Sequence, residues 1–249
     1  KDLLAHYKGA FCYENSDLLD GMRQPSGDTL KHIGEFPELL FDIKFEDENN
    51  EKKGLYQKDR RLSPIQADAR DEFLVDMKEA GCIERAPSCA KYAMPFVVAA
   101  KKALDGTWTG RRVCSDVRRL NLWSKSNKHR TQTLDEIFAS LEGHKYFCSL
   151  DAKSGYLQVG LTQRTKEKLT FHWNGELWRY TRAPFGPKAM PGHFQSLMDH
   201  MTKGLNCIAY LDDLIVYGKT PEELIHNLDQ ILKRCVNVNL KLRPKKCVF

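Results

Sequence analysis

Asp212 and Asp213 stand between two apolar runs, Cys207-Ile208-Ala209-Tyr210 and Leu214-Ile215-Val216-Tyr217. Aspartate is disfavoured inside strands and welcome in turns, so the pair marks the tip of a hairpin. Two readings of it stand side by side. Asp pairs are common in turns for conformational reasons alone. Adjacent carboxylates at a hairpin tip also bind divalent cations, which prefer hard oxygen ligands. Asp151 closes another short apolar run, Lys145 to Asp151. If that run is a strand beside the hairpin, three carboxylates meet at one end of a sheet. Phosphoryl transfer uses such a cluster to hold two magnesium ions ~3.5–4 Å apart. One ion lowers the pKa of an attacking hydroxyl, and the other holds a triphosphate and its leaving pyrophosphate. Three like charges in one place are costly without metal, which favours a site over a purely structural role.

The elements that must position these residues are marked by their ends. Ser63-Pro64-Ile65-Gln66 predicts a capping box with Pro in the first helical turn, closed by Gly81. Thr133 to Glu136 is a second box, closed by Gly143. Thr220-Pro221-Glu222-Glu223 is a third, leading into Leu224, Leu228, Ile231 and Leu232 at helical spacing. A further helix is expected from about His193 to Lys203, stopped by Gly204. Leu169 to Thr181 contains Asn174-Gly175, a strong hairpin signal. Leu39, Phe41, Ile43 and Phe45 alternate with other residues and predict a strand, and 46–53 an exposed loop. Set the Asn174-Gly175 insertion aside and the order after residue 144 is β-α-β-β-α. That is close to a ferredoxin-like sheet, so the class is α+β.

Bulk properties narrow the options. With 41% hydrophobic and 29% charged residues, the 249-residue chain has ample core material and no run near the ~18 apolar residues of a membrane span. No signal-peptide pattern is present, and the first residue is Lys1, as expected of a processed or excised chain. The net charge of +6 suits a polyanionic partner, though taken alone it is better read as an ordinary solvated surface. None of the eight cysteines forms a C-x-x-C pair, so structural zinc is not expected. A reduced, intracellular compartment is expected, in a cytoplasmic particle or the nucleus.

Five ordered segments carry a family resemblance. Tyr210-Leu211-Asp212-Asp213 resembles the Y-x-D-D box of reverse transcriptases. Leu150-Asp151-Ala152-Lys153-Ser154-Gly155-Tyr156 resembles the L-D-x-x-S-G-Y motif of gypsy-type long-terminal-repeat retroelements. Ala183 to Pro191, continued by Phe194-Gln195, resembles their M-P-F-G-L-x-N-A-P segment, and Cys114 to Asn121 resembles C-V-D-Y-R-x-L-N. Leu242 to Phe249 resembles the L-x-P-x-K-C-x-F that precedes the thumb. The resemblance spans about Leu55 to Phe249.

The resemblance implies a right-hand polymerase fold: fingers over 39–124 and 158–190, and a ferredoxin-like palm over 125–157 and 191–249. The thumb would be absent or only begun, and 1–38 is an extension of unclear role. Asp151, Asp212 and Asp213 become the catalytic, metal-binding triad, with the Ala152 carbonyl as an added ligand for two Mg2+ ions, Mn2+ being a substitute. Tyr156 becomes the residue under the incoming sugar that rejects a 2′-hydroxyl, against a core-tyrosine reading. This gate disfavours an RNA-templated RNA polymerase. Phe185 and Gly186 line the nucleotide pocket, and Tyr210 and Leu211 lie at the primer–template. Lys101, Lys102 and Arg112 are placed over the triphosphate, against the reading of solvated loop charges. About three extra residues between Trp108 and Arg112 depart from the family pattern and make Arg111 a substitute. Trp173 and Trp178 read better as hairpin core than as base-stacking residues.

The implied function is RNA- and DNA-directed DNA synthesis within a retroelement polyprotein. Its partners would be an RNA template, a DNA primer, their hybrid and deoxynucleoside triphosphates, with no membrane. Homo- or hetero-oligomerisation is open. The alternative is a co-opted domain acting as a structural or RNA-binding subunit of a larger assembly.

Overall fold

The structure is a computed structural model that describes all residues except 1, 27–28, 30–34 and 103–107. The chain divides into two compact units. The first comprises 1–40, 127–160 and 191–249, and the second comprises 41–126 and 161–190.

The first unit is built on an antiparallel sheet of three strands. Their order is Tyr146–Asp151, Asp213–Gly218, Cys207–Tyr210. The helix Pro221–Val238 packs on the first two. It forms because Thr220 caps the Glu223 N–H, Pro221 opens the first turn, and Asn239 closes it in the left-handed region at φ 58°. Leu228, Ile231, Leu232, Cys235 and Val238 line its buried face. Burial of each leucine or isoleucine there stabilises by roughly 1.5–3 kcal/mol. The third expected capping box differs in one bond. The Glu223 carboxylate accepts from the Lys219 N–H at 2.8 Å and the Asn206 amide at 2.8 Å, so it reaches one residue further back. The box at Thr133 and Glu136 forms as expected, starting the helix Leu134–Leu141. The helix expected from His193 runs instead over Met190–Thr202. Pro191 falls in its first turn, where a missing N–H costs nothing.

The N-terminal 40 residues belong to this unit. Cys12 N–H donates to the Leu242 carbonyl at 2.9 Å, and Leu242 N–H donates to Ala10 at 2.8 Å. Met22 and Arg23 N–H groups bond Gln158 and Val238 in the same way. Ala10, Phe11, Cys12, Leu18 and Met22 are buried. The segment therefore has its own share of the core, despite its polar composition.

The described residues of the second unit form three small sheets. Ile83–Arg85, Glu176–Tyr180 and Thr170–Trp173 form one; Phe96–Lys102 and Trp108–Ser115 form a two-stranded ribbon; Leu55–Tyr56 pairs in parallel with Tyr92–Ala93. The helix Pro64–Glu79 lies against the ribbon, started by the Ser63–Gln66 capping box. The Asn174-Gly175 turn has φ of 49° and 75°, the two left-handed positions that a tight hairpin needs. Trp173 and Trp178 pack against each other with ring centroids 5.1 Å apart and planes tilted by 58°, and both are 7% exposed, which makes them hairpin core.

Two local expectations are overturned here. Residues 39–45 form no strand: Phe41 and Phe45 make only isolated bridges, to Leu161 and Ser124. Leu39, Phe41, Ile43 and Phe45 are nonetheless buried. Alternation recorded burial on one side of an extended segment, without a continuous backbone partner. The expected loop at 46–53 contains a short helix, Asn49–Lys53, ended by Gly54 at φ 68°. An added Cβ at Gly54 would lie 2.7 Å from the Lys91 Cβ, so the stop requires glycine.

Candidate active site

Asp213 and Asp151 are direct cross-strand partners at the edge of the first unit's sheet. Asp212 sits one residue earlier in the turn, and its carbonyl accepts from the Ala152 N–H at 2.7 Å. All three predicted carboxylates, with Ala152, are therefore brought to one end of this sheet. Leu211 occupies the left-handed region at φ 51°, which a β-carbon makes unfavourable. A buried side chain holds it there. Gln195, fully buried in the helix Met190–Thr202, accepts from the Leu211 N–H at 2.8 Å and donates to the Ala209 carbonyl at 2.8 Å. Its amide also donates to Asp199 at 2.7 Å, whose other oxygen pairs with His129 at 2.6 Å.

The three carboxylates have different surroundings. One Asp212 oxygen is buried with no hydrogen-bond partner. Burial first, then the charges of Asp151 and Asp213, push its carboxyl up to about 6. Asp151 faces Arg243 and Lys246, each at 3.3 Å. The Arg243 contact is an ion pair without hydrogen-bond geometry. Asp213 is exposed. Among the described residues no three His, Cys, Asp or Glu side chains stand as a ready-made metal cage. The donor set still fits hard divalent cations: oxygen ligands, one buried oxygen without a partner, and mutual repulsion that a cation would relieve.

Gly155 makes the close approach to Asp212 feasible. An added Cβ there would press on the Asp212 carboxylate and lie 2.6 Å from Phe194 Cζ. Tyr156 is 8% exposed and packs edge-on against Phe194 at 5.4 Å. Burial, then the Asp212 charge, push its phenol up to about 12, so it stays neutral at physiological pH. Gln158, fully buried, donates to the Lys153 and Lys241 carbonyls and accepts from the Lys241 N–H at 2.7 Å. It ties the segment after Asp151 to residue 241. Tyr210 is 42% exposed beside the turn.

The remaining predicted residues belong to the second unit. Phe185 is exposed and Gly186 has φ 121°, where an added Cβ would lie 2.8 Å from Val117 Cγ2. Asn121 clasps this loop, donating to the Gly186 carbonyl and accepting from the Lys188 N–H, both at 2.9 Å. Lys102 and Arg112 are exposed on the ribbon; Lys101 pairs through its backbone with Gly110, next to a bulge. Arg111 lies one position from Arg112, hence on the opposite face. The turn at 103–107 lies outside the described residues.

Sequence reasoning missed Gln195, Gln158 and Asn121 as the residues that hold these loops. Gln195 and Asn121 stood inside motifs already quoted, but glutamine and asparagine carry no mark of the backbone groups they bind at long range.

Comparison with known proteins agrees with this geometry. Residues 109–249 match the family described as reverse transcriptase (RNA-dependent DNA polymerase). The Pol polyprotein of transposon 412 from Drosophila melanogaster is 32% identical over 167 residues, covering 66% of this chain and 14% of the polyprotein. That of transposon gypsy, from the same organism, is 30% identical over 167 residues, covering 66% of this chain and 16% of the polyprotein. The chain thus spans about a seventh of the length of these relatives. Among solved structures, the foamy viral protease-reverse transcriptase in complex with RNA/DNA hybrid superposes with a TM-score of 0.77 at 18% identity. The match covers 100% of this chain and 30% of that one. The right-hand polymerase fold expected from sequence is thereby shown. The chain belongs to the reverse transcriptase (RNA-dependent DNA polymerase) family, of the kind carried by gypsy-type long-terminal-repeat retroelements.

Proposed function

We propose that this chain is the fingers and palm of an RNA- and DNA-directed DNA polymerase, with the first unit as palm and the second as fingers. The observation that carries this reading is the register of Asp151 against Asp213, with Asp212 and its buried, unpartnered oxygen in the adjoining turn. Asp151, Asp212 and Asp213, with the Ala152 carbonyl, would hold two divalent cations, magnesium or manganese. Bound there, such ions activate a primer 3′-hydroxyl and neutralise charge on the triphosphate. In the reaction the primer 3′-oxygen bonds to the α-phosphorus of a deoxynucleoside triphosphate, and pyrophosphate leaves.

The chain's own residues prepare that step. Gln195 fixes the Leu211 backbone and so the direction of the Asp212 carboxylate that follows it. Gly155 leaves room for Asp212, and Phe194 holds the Tyr156 ring. We assign to Tyr156 the exclusion of a 2′-hydroxyl, to Phe185 and Gly186 the nucleotide pocket wall, and to Lys101, Lys102 and Arg112 the triphosphate. Template and primer would pass Tyr210 and Leu211, held through phosphate contacts that weaken with salt. We place this activity inside the cell, in a cytoplasmic particle or the nucleus. No helix among the described residues is long and apolar enough to cross a membrane. The reading as a purely structural subunit is not favoured, because such a domain has no use for a buried carboxylate oxygen without a partner.

The test is extension of a DNA primer on an RNA template with deoxynucleotides and magnesium, by wild type and Asp212→Asn. Magnesium-dependent extension lost in the variant supports the proposal. No extension by wild type, either as this chain or extended past Phe249, with hybrid binding retained, overturns it. A ribonucleotide control tests the gate: efficient incorporation of ribonucleotides removes that role from Tyr156.

A further inference from the structure

A cavity of about 440 Å3 lies wholly within the second unit. Four basic side chains line it, Lys44, Lys52, Lys125 and Arg164, against two acidic ones, Glu48 and Glu51. Two of these six are already committed. Arg164 is paired with Asp42, and Glu51 accepts from the buried Lys168 ammonium at 2.6 Å. That leaves three exposed lysines against Glu48 in the lining, and none of the three has a carboxylate within ion-pair distance among the described residues.

Backbone pairing sets two of the lysines opposite each other. Phe45 bridges Ser124 in antiparallel fashion, Lys125 N–H donates to the Lys44 carbonyl at 2.7 Å, and Glu46 N–H donates to Trp123 at 2.9 Å. Lys44 and Lys125 are therefore opposite each other in register. Like charges directly opposite on paired strands are destabilising. Lys52 adds a third from the short helix Asn49–Lys53. An anion in the cavity would relieve this repulsion, and ammonium groups are point-charge ligands for phosphate.

We propose that the cavity bounded by Lys44, Lys52 and Lys125 is a phosphate-binding site. The phosphate can come from a nucleic-acid backbone or from a free oligophosphate, since both present the same oxygens. The site needs no catalysis, so it stands or falls independently of the polymerase reading.

The experiment compares wild type, the double variant Lys44→Gln/Lys125→Gln, and the charge-matched control Lys219→Gln/Lys233→Gln, whose lysines are exposed in the first unit. One arm measures binding of a fluorescent single-stranded oligonucleotide against salt. Loss of two phosphate contacts lowers the log–log salt slope by about 1.4. The other arm measures the rise in melting temperature with inorganic pyrophosphate. A lower slope for the pocket variant alone assigns the site to a nucleic-acid backbone. Loss of pyrophosphate stabilisation alone assigns it to free phosphate, and loss of both shows that it takes either. Without ligand the pocket variant should melt no lower than wild type, because a repulsive pair has gone. Salt slope and pyrophosphate response equal to those of the control variant overturn the proposal.

Discussion

Replacing Gln195 with leucine tests whether the catalytic turn is held from behind. The substitution keeps bulk but removes the acceptor for Leu211 N–H and the donor for the Ala209 carbonyl. An orphaned buried backbone group costs about 1–3 kcal/mol. Ala209 is buried and Leu211 half-buried, so the loss at Leu211 falls at the low end. The sum is about 3 kcal/mol. For a chain of this size that lowers the melting temperature by about 6–12 °C. Leu211 would also be free to leave its left-handed conformation, and Asp212 would move with it. We therefore expect a fall in kcat for nucleotide addition larger than any change in hybrid affinity. The assays are thermal denaturation and single-turnover primer extension at a temperature where the variant is folded. A variant that melts within 2 °C of wild type (about 1 kcal/mol or less) and extends at the same rate refutes the reasoning.

Three further outcomes follow from the geometry. Asp42 is held well below the usual carboxylate range, at about 2, first by Arg164 and then by Thr162 and Thr165. Its contribution is present above the unfolded pKa of about 4 and is lost as pH falls toward 2, so Asp42→Asn should cost about 1–2 kcal/mol at pH 7, discounted because Arg164 is half exposed. The difference from wild type should vanish near pH 2; a difference independent of pH, followed by denaturant unfolding, contradicts this. Trp178→Ala should destabilise by about 3–5 kcal/mol through a cavity in the hairpin core, whereas a base-stacking role would leave the denaturation midpoint unmoved and weaken hybrid binding instead. Gly186→Ala should raise KM for the nucleotide by displacing the loop that Asn121 clasps, and a variant with unchanged KM would remove that loop from the pocket.

Legibility in the sequence followed the range of the forces involved. Local signals were read correctly: the capping boxes at Ser63 and Thr133, the Asn174-Gly175 turn and the hairpin around Asp212 each act within a few residues, although the tip is Leu211-Asp212 and Asp213 already belongs to the strand. The pairing of Asp151 with Asp213 needed the strand order as well, which the β-α-β-β-α pattern supplied. What failed was longer range. Alternation at 39–45 showed which residues are buried, yet the segment finds only two isolated bridges and forms no strand. Charge at 46–53 suggested a loop, while a single turn of helix satisfies the same solvated residues. Gln158 and Gln195 were silent because glutamine inside a helix or turn looks alike whether exposed or buried. Their partners lie 83 and 16 residues away. The Lys44–Lys125 pair was hidden for the same reason, since it depends on one bridge between Phe45 and Ser124.

The central claim is that the three carboxylates act as one metal-dependent centre. Asp151 tests it most directly, because it lies on a strand outside the hairpin that carries the other two and is paired with Arg243 and Lys246. The measurement is the rate of a single deoxynucleotide addition to a primed RNA template across a magnesium titration, for wild type and Asp151→Asn. The account predicts a saturable magnesium dependence for wild type and background rates for the variant at every concentration. An Asp151→Asn protein that adds the nucleotide at a rate near wild type would contradict it.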